Sequence, residues 1–593
     1  MSYSGLAESF AFVLDKYKVT SQASSTANSQ SLANEIAKSI ANSAAKNDAN
    51  IITQTIDILN NEYNLEKKQH EPFIFNQAAK GLYYNWSSSA SPTYVCYTYS
   101  PATTFIINKI ADPNAKLQQS EVLIFAKTDI NDKTQSKPLY KLVLPSYVQG
   151  VRSSLIIEDD PLDPFVLLGT FSYPETTNPN KCFVLKWYFM DNTLEVILNI
   201  YNANVTQSII RNISGGNDNI YLSTQNDADA QIIPKIYKLA TKDVIKYNTL
   251  ELQQFLSTYT LTCKNEPIYG TIWDIEIDAD QNIFISIPLQ SVDPTKLSGF
   301  NIRGRLYYNK LGMFDEPGNV NVLPLIGNNY YPPGFNEDAL SGFQTQCNGT
   351  NNVTIYSISD FSYQLLAISP DVNSLIASLG SLNSLNDIEQ FILQIRELLK
   401  NVDINGFKVL YFNKNDLYTD KYPPIYCLIG EPPLNTINKS TAGNGRNNMY
   451  NVHAWQSTVD VDNNKVYISS LDISASMYDF FIGLIKPTYP IIYSILYNLP
   501  ENIKILILDI LINQPTLPIL FDDKKFYFDV IEIDTNHQIR TITTDGFEYA
   551  KPKLPDEGVI TMSIVKNDKG KFLSVGSTCF QSTNSAKIYT LKL

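Results

Sequence analysis

The stretch TIWDIEIDADQNIFISI, residues 271–287, holds two runs of alternating apolar residues around a short acidic turn. Ile275 and Ile277 share one side of the chain before the turn at Asp278 to Asn282. Ile283, Ile285 and Ile287 resume the same period of two after it. That period belongs to a strand whose alternate side chains reach one face of a sheet. Asp and Asn suit the turn because their side chains bond the local backbone and tolerate left-handed φ. The segment therefore reads as a β-hairpin.

Working outward, QSTVDVDNNKVYISSL (456–471) and VITMSIVKNDKGKFLSVGS (559–577) repeat the scheme, with turns at 460–464 and 567–570. A second group places a cysteine in the returning strand: FVLLGTFSYPETTNPNKCFVLKWY (165–188), FKVLYFNKNDLYTDKYPPIYCLIGEP (407–432) and the hairpin ending at Cys579. The six cysteines, Cys96, Cys182, Cys263, Cys347, Cys427 and Cys579, fall about 80 residues apart with one doubled interval. This spacing predicts a sheet unit repeated about every 80 residues, six or seven times, with AKIYTLKL (586–593) as closing strand. The hairpins resemble those of β-propeller blades, a fold that limits exposed sheet edges by closing into a ring. The expected fold is mainly β: a propeller-like ring with helical insertions and a helical N-terminal segment. Tandem β-sandwich domains are the alternative. The chain lacks repeated Gly-His to Trp-Asp spacing, kelch double glycines and sialidase-type Asp boxes, and its 25 glycines are few for a turn-rich fold.

Helical periodicity appears in three places. Leu32, Ile36 and Ile40, then Ile52, Ile56, Leu59 and Tyr63, mark narrow apolar faces within residues 1–70. Such a face cannot bury itself, so it packs on the body of the protein or on copies of itself. Residues 1–70 are expected to anchor or oligomerise the β domain of residues 71–593, with docking on that domain as the alternative. A capping box at Asn386 to Glu389 predicts a helix over 387–400, within an insertion near 372–402. A second helical insertion is expected near 475–515.

Composition narrows the function. Of 593 residues, 44% are hydrophobic and 18% charged, as in a globular chain. The 46 basic against 59 acidic residues give a net charge of −13, which argues against nucleic-acid binding. The N-terminus shows no basic segment leading into an apolar run, so no signal peptide is expected. The apolar stretch 477–520 is broken by prolines and charges, so no transmembrane segment is expected.

Candidate chemistry is sparse. Asp278, Asp280 and Asn282, and likewise Asp460, Asp462 and Asn464, place oxygen ligands at alternate positions, as a calcium loop does. Neither set continues to a distal Glu, and acidic hairpin turns give the same pattern without an ion. Three histidines, His70, His453 and His537, argue against a histidine-based triad or metal cluster. GxGxxG and P-loop patterns are absent, so no catalytic residue and no cofactor other than calcium is assigned. Asn85, Asn204, Asn212, Asn348, Asn352 and Asn438 lie in N-x-S/T sequons.

The bias to Asn, Ile, Tyr and Lys, with seven Arg and three His, resembles that of structural proteins of viruses infecting hyperthermophilic archaea. That resemblance implies a non-enzymatic virion or host-attachment protein exposed on the particle. Its N-terminal helix would contact other virion proteins or its own copies, and its β head a host glycan or protein. The competing classes are a polysaccharide-acting hydrolase or lyase using paired carboxylates and a cell-surface adhesion protein in an extracellular setting.

Overall fold

The computed structural model describes residues 73–593 apart from single positions and short turns and from the stretches 102–118, 172–180, 292–300, 327–344, 366–401, 430–452, 472–529 and 543–557. The N-terminal helical segment, the helix over 387–400 and the insertion near 475–515 lie outside the described residues. So do all but the end of the insertion near 372–402, whose last residues begin a strand.

Among the described residues the first strand is β1 (Phe73–Gln77), and successive antiparallel meanders follow it. Blade 1 is β2 (Tyr84–Ala90), β3 (Tyr94–Ser100), β4 (Glu121–Ala126) and β5 (Tyr140–Val143). Blade 2 is β6 (Gly150–Ile157), β7 (Phe165–Phe171), β8 (Lys181–Tyr188) and β9 (Thr193–Tyr201). Blade 3 is β10 (Ser208–Gly216), β11 (Asn219–Asn226), β12 (Lys235–Ala240) and β13 (Ser257–Cys263), extended by β14 (Glu266–Pro267). Blade 4 holds β15 (Asp274–Ile277), β16 (Asn282–Ser291) and β17 (Asn301–Lys310). It also sends β18 (Gly318–Asn321) to pair in parallel with β13 before β19 (Leu323–Ile326) completes it.

Blade 5 starts with β20 (Thr345–Thr350) and β21 (Thr354–Ser359). A separate hairpin of β22 (Ser362–Leu365) and β23 (Val402–Asn405) interrupts it before β24 (Lys408–Asn413) and β25 (Tyr426–Ile429). Blade 6 is β26 (His453–Asp460), β27 (Lys465–Leu471), β28 (Val530–Ile533) and β29 (Ile539–Thr541). The last blade takes β30 (Gly558–Asn567), β31 (Gly570–Thr578) and β32 (Lys587–Lys592) from the C-terminal end and β1 from the start of the ring.

Two observations make the seven meanders a ring. The first strand of each blade neighbours the first strand of the next, in the cycle β2, β6, β10, β15, β20, β26, β30 and back to β2. In addition, seven buried apolar clusters occupy the seven blade-to-blade seams. Tyr97 and Phe125 meet Val565 and Ile588 between blades 7 and 1, for example, and Tyr467 and Val530 meet Leu573 and Tyr589 between blades 6 and 7. Each blade is thus covered on both faces, which is why β7 is buried at all seven positions. The protein is a β-propeller with seven described blades.

The three hairpins first read from the sequence are equivalent in the structure: each is the inner strand pair of a blade, in blades 4, 6 and 7. The cysteine rhythm has a different outcome. Cys96 lies on a second strand, Cys182 on a third, Cys263 and Cys427 on fourth strands, and Cys347 on a first strand. They mark no equivalent place, and inner strands beginning at Tyr84, Gly150, Ser208, Asp274, Thr345, His453 and Gly558 do not keep a constant interval. The physical reason is that the connections between strands vary in length from blade to blade. Cys96, Cys182 and Cys263 are free thiols. AKIYTLKL supplies the third strand of blade 7, and β1 is the strand that closes the ring.

Near the axis the blades converge, and side chains close on the backbone of a neighbouring strand. A Cβ on Gly576 of blade 7 would stand 2.6 Å from Asn85 Cγ of blade 1 and 2.6 Å from Thr561 Cγ2. Asn85 is itself fully buried, so its sequon is closed to glycosylation in the folded protein.

Candidate functional site at the channel mouth

Each inner strand starts at the face carrying the connections between blades and ends at the face carrying the hairpin turns. At the first of these faces the inner strands bring together three of the four tryptophans and two of the seven arginines. The Arg152 guanidinium lies 3.7 Å from the centroid of the Trp86 ring and 5.2 Å from that of Trp455. Arg211 lies 3.8 Å from Trp273 and 5.9 Å from Trp455. The Trp455 ring is 5.9 Å from Trp86 and 6.3 Å from Trp273, which joins the two stacks into one belt across the axis. Tyr84 stacks on Trp86 at 4.5 Å from within the same strand.

Guanidinium over indole is the strongest of the common cation–π pairings, worth up to about 2 kcal/mol when desolvated. Burial pushes the Arg211 guanidinium down to about 9, against the opposing field of Asp274. Arg211 Nε donates to the carbonyl of Trp273 at 3.2 Å, and Asn212 Nδ2 donates to the same oxygen at 2.8 Å. Ser214 Oγ donates to the carbonyl of Ile275 at 3.0 Å. Blade 3 therefore holds the inner strand of blade 4 by three side-chain bonds, and this fixes the belt.

Below the belt, the same strand carries Asp274 and Glu276. Burial pushes the Asp274 carboxyl up to about 6, with Arg211 pulling the other way. It pushes Glu276 up to about 8, helped by the negative neighbours Asp274 and Asp278. Glu276 is thus a neutral acid near pH 7, while Asp274 is mostly ionised beside its arginine.

The two acidic turns sit at the opposite face. Asp278 Oδ1 accepts from the backbone N–H groups of Asp280 (3.0 Å) and Asn282 (2.8 Å), and Oδ2 from Asn282 Nδ2 at 2.8 Å. Lys414 of blade 5 then places Nζ 3.1 Å from Asp278 and 2.7 Å from Asp280. The second turn is built alike. Lys571 of blade 7 lies 2.6 Å from Asp460 and 2.9 Å from Asp462, and Asn463 Nδ2 donates to Asp460 at 2.8 Å. Asn464 closes that turn at φ 51°. In both turns a lysine ammonium from a neighbouring blade sits between the two carboxylates. Among the described residues no group of three or more His, Cys, Asp or Glu side chains is placed to hold a metal.

The belt was not read from the sequence, although a signal existed. Trp86, Arg152 and Trp455 each stand at the third residue of an inner strand, Arg211 stands at the fourth residue of its own, and Trp273 directly precedes the inner strand of blade 4. Scarce residue types at one level of a repeat are visible only once the repeat is framed correctly.

No family model matches the chain, and no curated protein matches it. Solved structures do align with it. The β-propeller domain of the Trilobed protease from Pyrococcus furiosus is 7% identical, covers 86% of this chain and 94% of its own, and gives a TM-score of 0.35. Sqt1 of Saccharomyces cerevisiae is 8% identical over 88% of this chain and 100% of its own, at a TM-score of 0.33. A Trypanosoma rangeli sialidase is 8% identical over 68% of this chain and 55% of its own, at 0.30. The propeller is read from strand pairing and blade seams, and these scores add no argument about function. Among the described residues no helix is long and apolar enough to cross a membrane.

Proposed function

We propose that the chain is a binding and assembly protein whose ring presents the channel mouth to a macromolecular partner. In this reading the part ahead of Phe73 joins the ring to a larger particle. The observation that carries it is the placement of two features on opposite faces. Phe73 pairs with Thr590, near the end of β32, so the chain enters blade 7 at its outer edge from the face of the hairpin turns. The Trp–Arg belt lies at the other face. Partly exposed Trp and Arg are the residue types that dominate binding energy at protein interfaces. A seat on one face and a recognition surface on the other is the layout of an attachment protein, and the compositional resemblance to structural proteins of archaeal viruses supports a seat on a virus particle.

The test has two arms. The protein should be found in purified particles, and removal of residues 1–70 should abolish its incorporation while leaving the ring folded. Host-cell binding of labelled particles should fall at least tenfold with Arg152→Ala. Absence of the protein from particles, or binding unchanged by Arg152→Ala, would contradict the reading.

A second reading rests on Glu276 and Asp274. Two neighbouring carboxyls held at different protonation states are what general acid–base hydrolysis of a glycan needs. Turnover of a polysaccharide that is lost in Glu276→Gln would favour it over the binding role.

A further inference from the structure

The seam between blades 5 and 6 opens on the hairpin-turn face into a cavity of about 350 Å³ that has no part in the channel mouth. Three aromatic rings form a ladder along its wall. Tyr411 lies between His537, whose ring is 4.1 Å away at 26°, and Tyr426, 5.2 Å away at 26°. Tyr356 meets His537 edge-on, and its hydroxyl stands 3.5 Å from Nδ1. Tyr426, at the end of the ladder, is 49% exposed and offers solvent a flat ring face.

The rest of the lining is polar: Asn413, Asp416 and Asn464, with the hydroxyls of Thr354 and Thr535. The side-chain oxygen of Asn464 is buried and accepts no hydrogen bond among the described residues. Burial lowers the basicity of His537, with Asp534 opposing, so the ladder is uncharged near neutral pH, and Asp416 is the one acidic side chain among the described lining residues.

We propose that this cavity is a carbohydrate-binding site that takes a pyranose ring on the exposed face of Tyr426, which Tyr411 backs. A sugar ring presents C–H groups on one face and hydroxyls around its edge, each hydroxyl both donor and acceptor. A flat aromatic ladder fits the face, and amide, carboxylate and hydroxyl groups at the rim fit the edge. Rings stacked in parallel expose one terminal face and do not box a cation on several sides, so a quaternary ammonium is the poorer fit. The volume lies at the low end of small-ligand sites, roughly 300–1,000 Å³, which suits a monosaccharide or the end of a glycan. The site goes beyond the attachment reading and stands on separate residues, so either can fail alone.

The test is saturation-transfer NMR on the full chain with the methyl glycosides of glucose, galactose, mannose and N-acetylglucosamine. At least one should receive saturation at its ring protons. Tyr426→Ala and Asp416→Asn should each weaken that binding at least tenfold, whereas Tyr147→Ala, at an exposed tyrosine elsewhere on the ring, should leave it unchanged. Both test variants alter accessible side chains, and unchanged melting temperatures will verify their folding. No transfer to any of the four glycosides, or binding indifferent to both substitutions, overturns the proposal.

Discussion

Lys414 Nζ of blade 5 lies 3.1 Å from Asp278 Oδ2 of blade 4, and both side chains are almost fully shielded from solvent. The pair ties the C-terminal end of one blade's third strand to the inner turn of its neighbour. Removing one member of a buried ion pair leaves the other charge uncompensated, at about 3–5 kcal/mol. Lys414→Ala should lose that much stability in chemical denaturation. A loss under about 1 kcal/mol would show that the seam does not depend on the pair.

Calcium should leave the wild-type protein unaffected. The carboxylates of Asp278 and Asp280, and of Asp460 and Asp462, already face an ammonium group, and a divalent ion would have to displace it. The expected result is a melting temperature that is the same in millimolar calcium and in chelator. A calcium-dependent rise would restore the metal reading of these turns.

Stability should fall as pH rises through neutrality. Glu276 and Asp274 titrate at about 8 and about 6 in the folded ring because burial disfavours their charged forms. In the unfolded chain such groups titrate near about 4. Between those limits the native state holds more protons than the unfolded one, so stability declines with pH. The contribution is complete below about pH 4, and it is lost by about pH 6 for Asp274 and about pH 8 for Glu276. Glu276→Gln should flatten the decline between neutrality and pH 8, as read from denaturation midpoints across pH. An unchanged slope would place the dependence elsewhere.

Gly576→Ala should destabilise the ring by roughly 1–3 kcal/mol, because the new methyl meets Asn85 and Thr561 where blades 7 and 1 converge. A denaturation midpoint equal to the wild type would mean that this approach to the axis is looser than the geometry shows.

The fold was legible in the inner hairpins and obscured by the cysteines. Asn219 to Ser223, Asn282 to Ser286 and Lys465 to Ser469 read NIYLS, NIFIS and KVYIS. Their terminal serines are all fully buried at the same level of blades 3, 4 and 6. That is the true repeat, and it is short because the packing between blades constrains the second strand most. The outer strands and their connections face fewer constraints and vary in length, so no period near 80 survives. The acidic turns were legible as turns. Their lysine partners, about 110 to 135 residues further along the chain, were not, since a contact across a blade seam leaves no local pattern. The Trp–Arg belt and the tyrosine ladder share that invisibility, being assembled from strands of different blades.

Closure of the ring by its first strand can be measured directly by hydrogen exchange. Residues Phe73–Gln77 pair with Lys587–Thr590 as the outermost strand of the last blade. Amides in both segments should be protected, and deleting residues 1–77 should strip protection from β32 and lower the stability of the whole ring. Rapid exchange at Phe73–Gln77 in the intact protein, with β32 indifferent to the deletion, would contradict a ring closed in this way.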